Sequence, residues 1–104
     1  MATEIVTEIL WTPSATNSFD QIVLYLIENW SAKEVSTFVN RTSGVINMLK
    51  RYPEMCSPSA KRKNVRISIL NKHTKMVYHY KPGKKQIEIL LFWSMNRNPE
   101  KFKY

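Results

Sequence analysis

The stretch VRISILNKHTKMVYHYKPGKKQIEILLFW, residues 65–93, decides the fold because its side chains alternate with a period of two. Such alternation indicates β-strands. Three strands are predicted, separated by turns at 71–74 and at 82–83. The face predicted to pack on helices is formed by Val65, Ile67, Ile69, Met76, Tyr78, Tyr80, Ile87, Ile89, Leu91 and Trp93. The outer face is predicted to mix cations with apolar side chains: Arg66, Ser68, Lys75, Val77, His79, Leu90 and Phe92.

Upstream of these strands, apolar side chains recur at steps of three and four residues, the pattern of amphipathic helices. The first helix is predicted to follow a strand over Glu4–Trp11, with Ser14 as its cap. The second starts at Ser31, where Ser-Ala-Lys-Glu has the capping-box spacing, and ends at Tyr52 ahead of a proline. The predicted core stripes are Phe19, Ile22, Val23, Leu26, Ile27 and Trp30, then Val35, Phe38, Val39, Thr42, Val45, Ile46 and Leu49.

The predicted order is therefore strand, helix, helix, strand, strand, strand. This is an α+β architecture in which an antiparallel helical hairpin packs on one face of a small, mostly antiparallel sheet. The 104 residues suit one domain, 1–104. No apolar run reaches membrane-spanning length, and the lone cysteine, Cys56, suits a reducing compartment. We therefore expect a cytoplasmic protein without membrane contact.

The charge is strongly basic and unevenly placed along the chain. Sixteen Lys and Arg face eight Asp and Glu, which gives a net charge of +8, and most cations follow residue 60. A basic half favours a polyanionic partner, either nucleic acid or an acidic protein, although a plain basic surface is the alternative. The residues expected to contact nucleic acid are Lys61, Arg62, Lys63 and His79.

Three further cations, Arg66, Lys75 and Arg97, lie on or just beyond strands that are expected to be neighbours. If they converge, they stabilise the extra charge of a phosphodiester transition state, and RNA is cut by its own 2'-OH without a metal. Their spacing alone favours the plainer interpretation, in which they are solvated charges. The two histidines, His73 and His79, have no Cys or His cluster near them, so neither a metal nor a cofactor is expected.

Several segments together resemble one protein family over nearly the whole chain. They are FDQIVLYLIENWSAKEVSTFV at 19–39, LKRYPEM at 49–55, VRISILNKHTKMVYHY at 65–80 and IEILLFWSMNRNPEKF at 87–102. The combination of NW before S-x-x-E, of Y-P-E after the second helix and of Arg-Asn-Pro after the last strand resembles the RelE/ParE toxin family of type II toxin–antitoxin systems.

That resemblance implies a toxin that is held inactive by a cognate antitoxin protein. The antitoxin wraps such toxins with an acidic and apolar segment, and operator DNA is bound only through the antitoxin. The expected partner contacts in this chain are Val77, Leu90, Phe92 and Phe102. In the C-terminal tail, Phe102 and Tyr104 either fold back over the site or anchor the antitoxin.

The family has two branches with different activities. RelE-like members cut mRNA on the ribosome, whereas ParE-like members block DNA gyrase and are not enzymes. In the RelE pattern, Arg66, Lys75 and Arg97 match basic residues and Tyr104 lies near a C-terminal aromatic; these four are the predicted catalytic residues. Ser68 departs from the pattern, which has a lysine there, and a long helical hairpin is common in the ParE branch. The prediction is a ribosome-dependent mRNA endoribonuclease; the alternatives are a gyrase inhibitor and a non-toxic homologue that binds antitoxin.

Overall fold

The computed structural model describes residues 5–95 and 99–104. In chain order the elements are β1 (Glu8–Trp11), α1 (Pro13–Asn29), α2 (Ala32–Leu49), β2 (Ser57–Pro58), β3 (Val65–Asn71), β4 (Thr74–Lys81) and β5 (Gln86–Ser94). One sheet has the strand order β1-β5-β4-β3-β2, in which β1 runs parallel to β5 and the other pairs are antiparallel. The predicted α+β architecture is confirmed, and β2 is an addition. The strand expected from Glu4 begins at Glu8; Glu4 lies outside the described residues.

Helix α1 is capped by Thr12 and not by the predicted Ser14. The Thr12 hydroxyl oxygen accepts a hydrogen bond from the Ala15 backbone N–H at 3.0 Å and donates to the Leu90 carbonyl at 3.0 Å. Pro13 takes the first helical position, where no N–H is needed and where its fixed φ suits the helix. Proline therefore starts this helix instead of preceding it, and the cap fastens the start of α1 to β5.

Helix α2 ends at Leu49 and not at the predicted Tyr52. The carbonyl of Lys50 accepts hydrogen bonds from the backbone N–H groups of Ile5 and Val6, at 2.8 and 2.9 Å. These bonds satisfy a carbonyl that is left without a partner at the end of the helix. Residues 50–52 continue as a turn in which the N–H groups of Arg51 and Tyr52 both donate to the Met48 carbonyl, at 3.1 and 2.9 Å, so the regular helix ends three residues earlier than the proline alone predicted.

The pairing of β3 with β4 reverses the predicted faces of β3. Arg66 lies opposite Tyr78, and Ser68 lies opposite Met76. Residues directly opposite in an antiparallel pair share a face, and Tyr78 and Met76 belong to the core under the helices. The predicted outer positions of Arg66 and Ser68 were therefore wrong. The outer face of β3 carries Val65, Ile67 and Ile69 instead.

A bulge in β5 changes the alternation of that strand. Leu91 pairs with Val77, whereas Ile89 pairs with the next residue, Tyr78. Leu90 is therefore an extra residue in β5, with no partner of its own in the pairing with β4. Every side chain beyond the bulge lies on the face opposite to the one that a strict period of two predicts.

Phe92 consequently lies in the core and Trp93 on the outer face, the reverse of the prediction. Phe92 is 1% exposed and packs with Trp11, Phe19 and Phe38, with ring centroids 5.1 to 6.4 Å apart within this cluster. Such aromatic pairs contribute roughly 0.5–1.5 kcal/mol each beyond the area they bury. The cluster joins both helices to β1 and β5.

Candidate partner-binding site

The outer face of the sheet has an apolar centre between charged margins. Val77, in the middle of β4, is fully buried, and Trp93 on β5 is 6% exposed. Lys75 and His79 share this face of β4 and lie four residues apart, about 13 Å along a strand. Ile69, on β3 beside Lys75, is 65% exposed. The face is thus covered at its centre and open at one margin.

The C-terminal tail, residues 99–104, folds back onto this face. The ring of Phe102 lies 5.2 Å from the ring of Trp93, and the Lys75 ammonium lies 4.0 Å from the Phe102 centroid. Tyr104 packs edge-on against Phe102 at 5.9 Å, and the Arg62 guanidinium lies 4.7 Å from the Tyr104 centroid. Both tail aromatics thus fold back onto the outer face, and their predicted contact with an antitoxin stays a prediction. Each ring is paired with a cation, an attraction worth roughly 0.5–2 kcal/mol.

The loop between β2 and β3 also holds the backbone of the tail. The Lys61 ammonium donates to the Phe102 carbonyl at 3.3 Å, and the Arg62 Nε–H donates to the Lys103 carbonyl at 3.4 Å. The Ser59 hydroxyl donates to the Tyr104 carbonyl. Since β2 is at one edge of the sheet and Trp93 is on β5, the tail crosses β4 and β3.

Arg66 is engaged on the opposite face of the sheet. Its guanidinium donates to the carbonyls of Glu54 and Cys56 at 3.1 and 2.7 Å, and lies 3.5 Å from the Glu54 carboxylate. Ser68, two residues further along β3, is 5% exposed. Arg66 therefore fastens the loop after α2 and does not point toward Lys75.

Tyr78 is a buried residue that, like Arg66, holds the loop after α2. Its hydroxyl donates to the Pro53 carbonyl at 2.8 Å, and its side chain is fully buried. Burial raises the pKa of the Tyr78 phenol well above its ordinary value of 10.0; nearby Cys56 adds to the increase, and the positive charge of Arg66 opposes it. A phenol held neutral in the core stabilises the loop and does not serve as a base.

The structure brings together only part of the predicted site. The predicted residues that meet around the tail are Lys61, Arg62, Lys75, Phe102 and Tyr104. Arg66 lies on the other face, and Arg97 lies outside the described residues. Lys63 is exposed in the loop between β2 and β3, and His79 is half-buried toward the far end of β4. Their predicted contacts with nucleic acid stay predictions.

The predicted partner contacts are also only partly accessible. Phe92 is a core residue because of the bulge, so the prediction that it lies exposed on the outer face was wrong. Val77 lies on the predicted face but is fully buried, whereas Leu90 is half-buried. Sequence reasoning missed Ser59 and Trp93, which contact the tail. The alternating aromatics of the tail were the available signal, since such side chains need a surface to pack on.

The structure also bears on metal and membrane binding. Within residues 5–95 and 99–104, no three His, Cys, Asp or Glu side chains are grouped so that they hold a metal ion. Neither α1 nor α2, in the part of the chain that the structure describes, is long and apolar enough to cross a membrane.

Solved structures similar to this chain are small toxins of toxin–antitoxin systems. The chromosomal ParDE system of P. aeruginosa gives a TM-score of 0.69 at 16% identity and covers 86% of this chain and 97% of that one. The YoeB/ParE toxin from Agrobacterium tumefaciens gives 0.65 at 12% identity, with 85% and 98% covered. The RelBE2 toxin–antitoxin complex from Mycobacterium tuberculosis gives 0.61 at 10% identity, with 93% and 100% covered. At these identities the likeness establishes the fold.

Sequence comparison then identifies the family. The family model described as the ParE toxin of the type II toxin–antitoxin system, parDE, matches residues 9–99. No curated protein matches the chain at a significant level. Because the family model covers most of the chain, this protein belongs to the ParE toxin family of type II toxin–antitoxin systems.

Proposed function

We propose that this toxin inhibits growth by binding DNA gyrase and that it does not cleave RNA. The observation that carries the proposal is the position of Arg66 and Lys75 on opposite faces of the sheet. DNA gyrase is the proposed target because members of the ParE branch block gyrase and are not enzymes. The opposite prediction, an mRNA endoribonuclease, assumed that these cations share one face.

Metal-free RNA cleavage needs charge stabilisation and proton transfer at one reacting phosphate. Reacting groups must be held within a few ångströms, since small displacements cost large factors in rate. Arg66 uses its guanidinium on two backbone carbonyls, and Ser68 is buried where the nuclease pattern has a lysine. A binding mechanism requires no such convergence.

We also propose that the partner that neutralises this toxin is an antitoxin protein that covers the outer face. The similar structures from P. aeruginosa and M. tuberculosis are those of a ParDE toxin–antitoxin system and a RelBE2 toxin–antitoxin complex. Lys61, Arg62 and Lys75 surround the half-buried rings of Phe102 and Tyr104, a pattern that is complementary to a segment carrying both acids and apolar side chains. We propose that operator DNA binds only through the antitoxin. Because its proposed partners include DNA gyrase and operator DNA, the toxin is proposed to act in the cytoplasm.

The ribosome-dependent mRNA endoribonuclease is the second candidate function. It is favoured by the gathering of Lys61, Arg62, Lys75 and Tyr104 on one side of the sheet, with Arg97 in the segment just after β5. This arrangement uses different cations from those that the sequence predicted to converge. Lys75 and Arg97 are the cations common to both versions, and Arg66 is the one left out.

The decisive experiment measures both activities of the chain in the absence of antitoxin. Purified toxin is added to a DNA gyrase supercoiling assay and, separately, to a reconstituted translation reaction in which cut mRNA ends are mapped. We expect inhibition of supercoiling and intact mRNA. Cleavage within ribosomes would replace gyrase inhibition with the nuclease function if Lys75→Met abolishes it while the thermal unfolding of that variant matches the wild type. Inactivity in both assays would identify a non-toxic homologue.

A further inference from the structure

A second surface lies away from the tail, between the helical hairpin and the turn that joins β3 to β4. It is a groove of about 770 Å³ whose floor and walls are formed by Ile22, Leu26, Phe38 and Phe92. Tyr25 and Trp30 stand at its rim and are 52% and 62% exposed. The sequence pattern placed Trp30 in the core stripe of α1, and the structure places it at this rim.

The groove carries opposite charges on its two walls. The positive charge is that of Lys72, beside His73 in the β3–β4 turn, and the negative charge is that of Glu34 in the first turn of α2. The ion pairs found among residues 5–95 and 99–104 are Arg66–Glu54 and Lys81–Glu88, so the groove charges are not paired with one another there. A ligand with an acid at one end and a base at the other complements this pattern.

The electrostatic setting of the groove differs from that of the outer face. Residues 13–49, which form both helices, hold three acids and two bases, a net charge of −1 on a chain of net charge +8. The cations that surround the tail are all beyond residue 60. A strongly acidic segment is therefore attracted to the outer face, whereas the groove selects by apolar shape and by its two opposed charges.

We propose that the groove receives an amphipathic helical segment of the toxin's protein target, with apolar side chains on its floor and a carboxylate at Lys72 and His73. This inference rests on the proposed function, and it separates the target surface from the antitoxin surface. Helices dock into apolar grooves through anchors spaced three and four residues apart. Exposed Trp and Tyr at the rim of an apolar depression are residues that commonly dominate such interfaces.

The test uses two groove variants at exposed positions and two matched controls. Trp30→Ala removes the rim aromatic, and Lys72→Glu reverses the charge of the turn wall. Leu24→Ala removes an apolar side chain of α1 that is 54% exposed and does not line the groove. Arg41→Glu reverses an exposed charge on α2. All four are compared with the wild type for thermal unfolding, gyrase inhibition, growth inhibition in cells, antitoxin affinity and oligomeric state.

We expect Trp30→Ala and Lys72→Glu to need at least tenfold more toxin for half-inhibition of purified gyrase and to lose growth inhibition. Their antitoxin affinity should stay within threefold of the wild type, and both controls should behave like the wild type. Groove variants that inhibit fully would overturn the inference. So would an equal loss of antitoxin binding, which would assign the groove to the antitoxin, or dissociation of a wild-type dimer, which would assign it to a second copy of the chain.

Failure of the proposed function gives a different result. If the wild-type toxin inhibits growth without acting on gyrase, gyrase inhibition is wrong, and growth inhibition by the groove variants decides the further inference. Loss of that inhibition with antitoxin binding intact supports a target surface in the groove. Retention of full toxicity refutes it.

Discussion

Replacing Arg66 by methionine tests whether this arginine is a structural clamp or a catalytic cation. The guanidinium donates to the carbonyls of Glu54 and Cys56 at 3.1 and 2.7 Å, and 22% of its side chain is exposed. Methionine keeps the stem of the side chain and removes both donors. The loop after α2 then loses its attachment to β3, and the Cys56 carbonyl, which is partly buried, loses its partner.

The magnitude follows from the two carbonyl bonds. Hydrogen bonds from charged donors contribute about 1.5–3 kcal/mol each. The exposed Glu54 carbonyl is rehydrated in the variant, so only the bond to Cys56 counts near its full value. The ion pair adds little, because the Glu54 side chain is 67% exposed. We expect a loss of about 2 kcal/mol, which lowers Tm by about 10 °C in a domain of this size.

Urea and thermal unfolding measure this loss, with Arg41→Met as the control because Arg41 is exposed on α2. The control should unfold within about 0.5 kcal/mol of the wild type. A third variant, Arg66→Lys, keeps the charge but loses the planar fork, and should be destabilised nearly as much as Arg66→Met. Wild-type stability in Arg66→Met would refute the clamp. Loss of toxicity in a variant of unchanged stability would restore the catalytic interpretation.

Three further changes follow from the packing. Burial raises the pKa of Tyr78 above 10.0, so the unfolded chain loses this proton first and the free energy of unfolding of the wild type falls above that pH. In Tyr78→Phe, the loss of stability between neutral pH and pH 11 should be about 1.4 kcal/mol smaller than in the wild type. Phe102→Ala should release the tail from Trp93 and speed amide hydrogen exchange at 100–104 by at least tenfold. Ser18→Ala should lower the free energy of unfolding by about 1–3 kcal/mol, because its buried hydroxyl accepts from the Phe92 N–H at 2.9 Å.

Each of these has a matched control and a contradicting result. Tyr52→Phe, at an exposed tyrosine, should keep the wild-type loss at alkaline pH; an identical pH profile for Tyr78→Phe would contradict the role of burial. Met95→Ala lies before the tail and should leave its exchange unchanged, and a tail still protected in Phe102→Ala would show that the backbone bonds suffice. Ser36→Ala, on the exposed side of α2, should be neutral, and a neutral Ser18→Ala would mean that water replaces the hydroxyl.

Local periodicity was sufficient for the element order and the family. The steps of three and four around Phe19 and Phe38 predicted two helices, and the period of two from Val65 predicted consecutive strands. These patterns depend on side chains that are close in sequence and therefore need no knowledge of distant partners. The helix ends were less accurate, because Thr12 and Lys50 bond to groups far along the chain.

The composition of the site needed the tertiary structure. The alternation of side chains along a strand shows which of them share a face, but it does not show what covers that face. Both faces of β3 are partly apolar, so the sequence did not reveal that Arg66 lies on the core side of the sheet, beside the loop after α2. One extra residue at Leu90 then exchanged the faces of Phe92 and Trp93, since one inserted residue moves every following side chain to the other face of the strand.

What the sequence by itself determined is the α+β order, the basic C-terminal half and the resemblance to a toxin family. What only the tertiary structure decided is which cations meet: Lys75 with the tail, and Arg66 with the loop after α2. The physical reason is that strand pairing, a bulge and the return of residues 99–104 join positions that are far apart in the chain. Their side chains acquire partners only when the sheet and its two covered faces are complete.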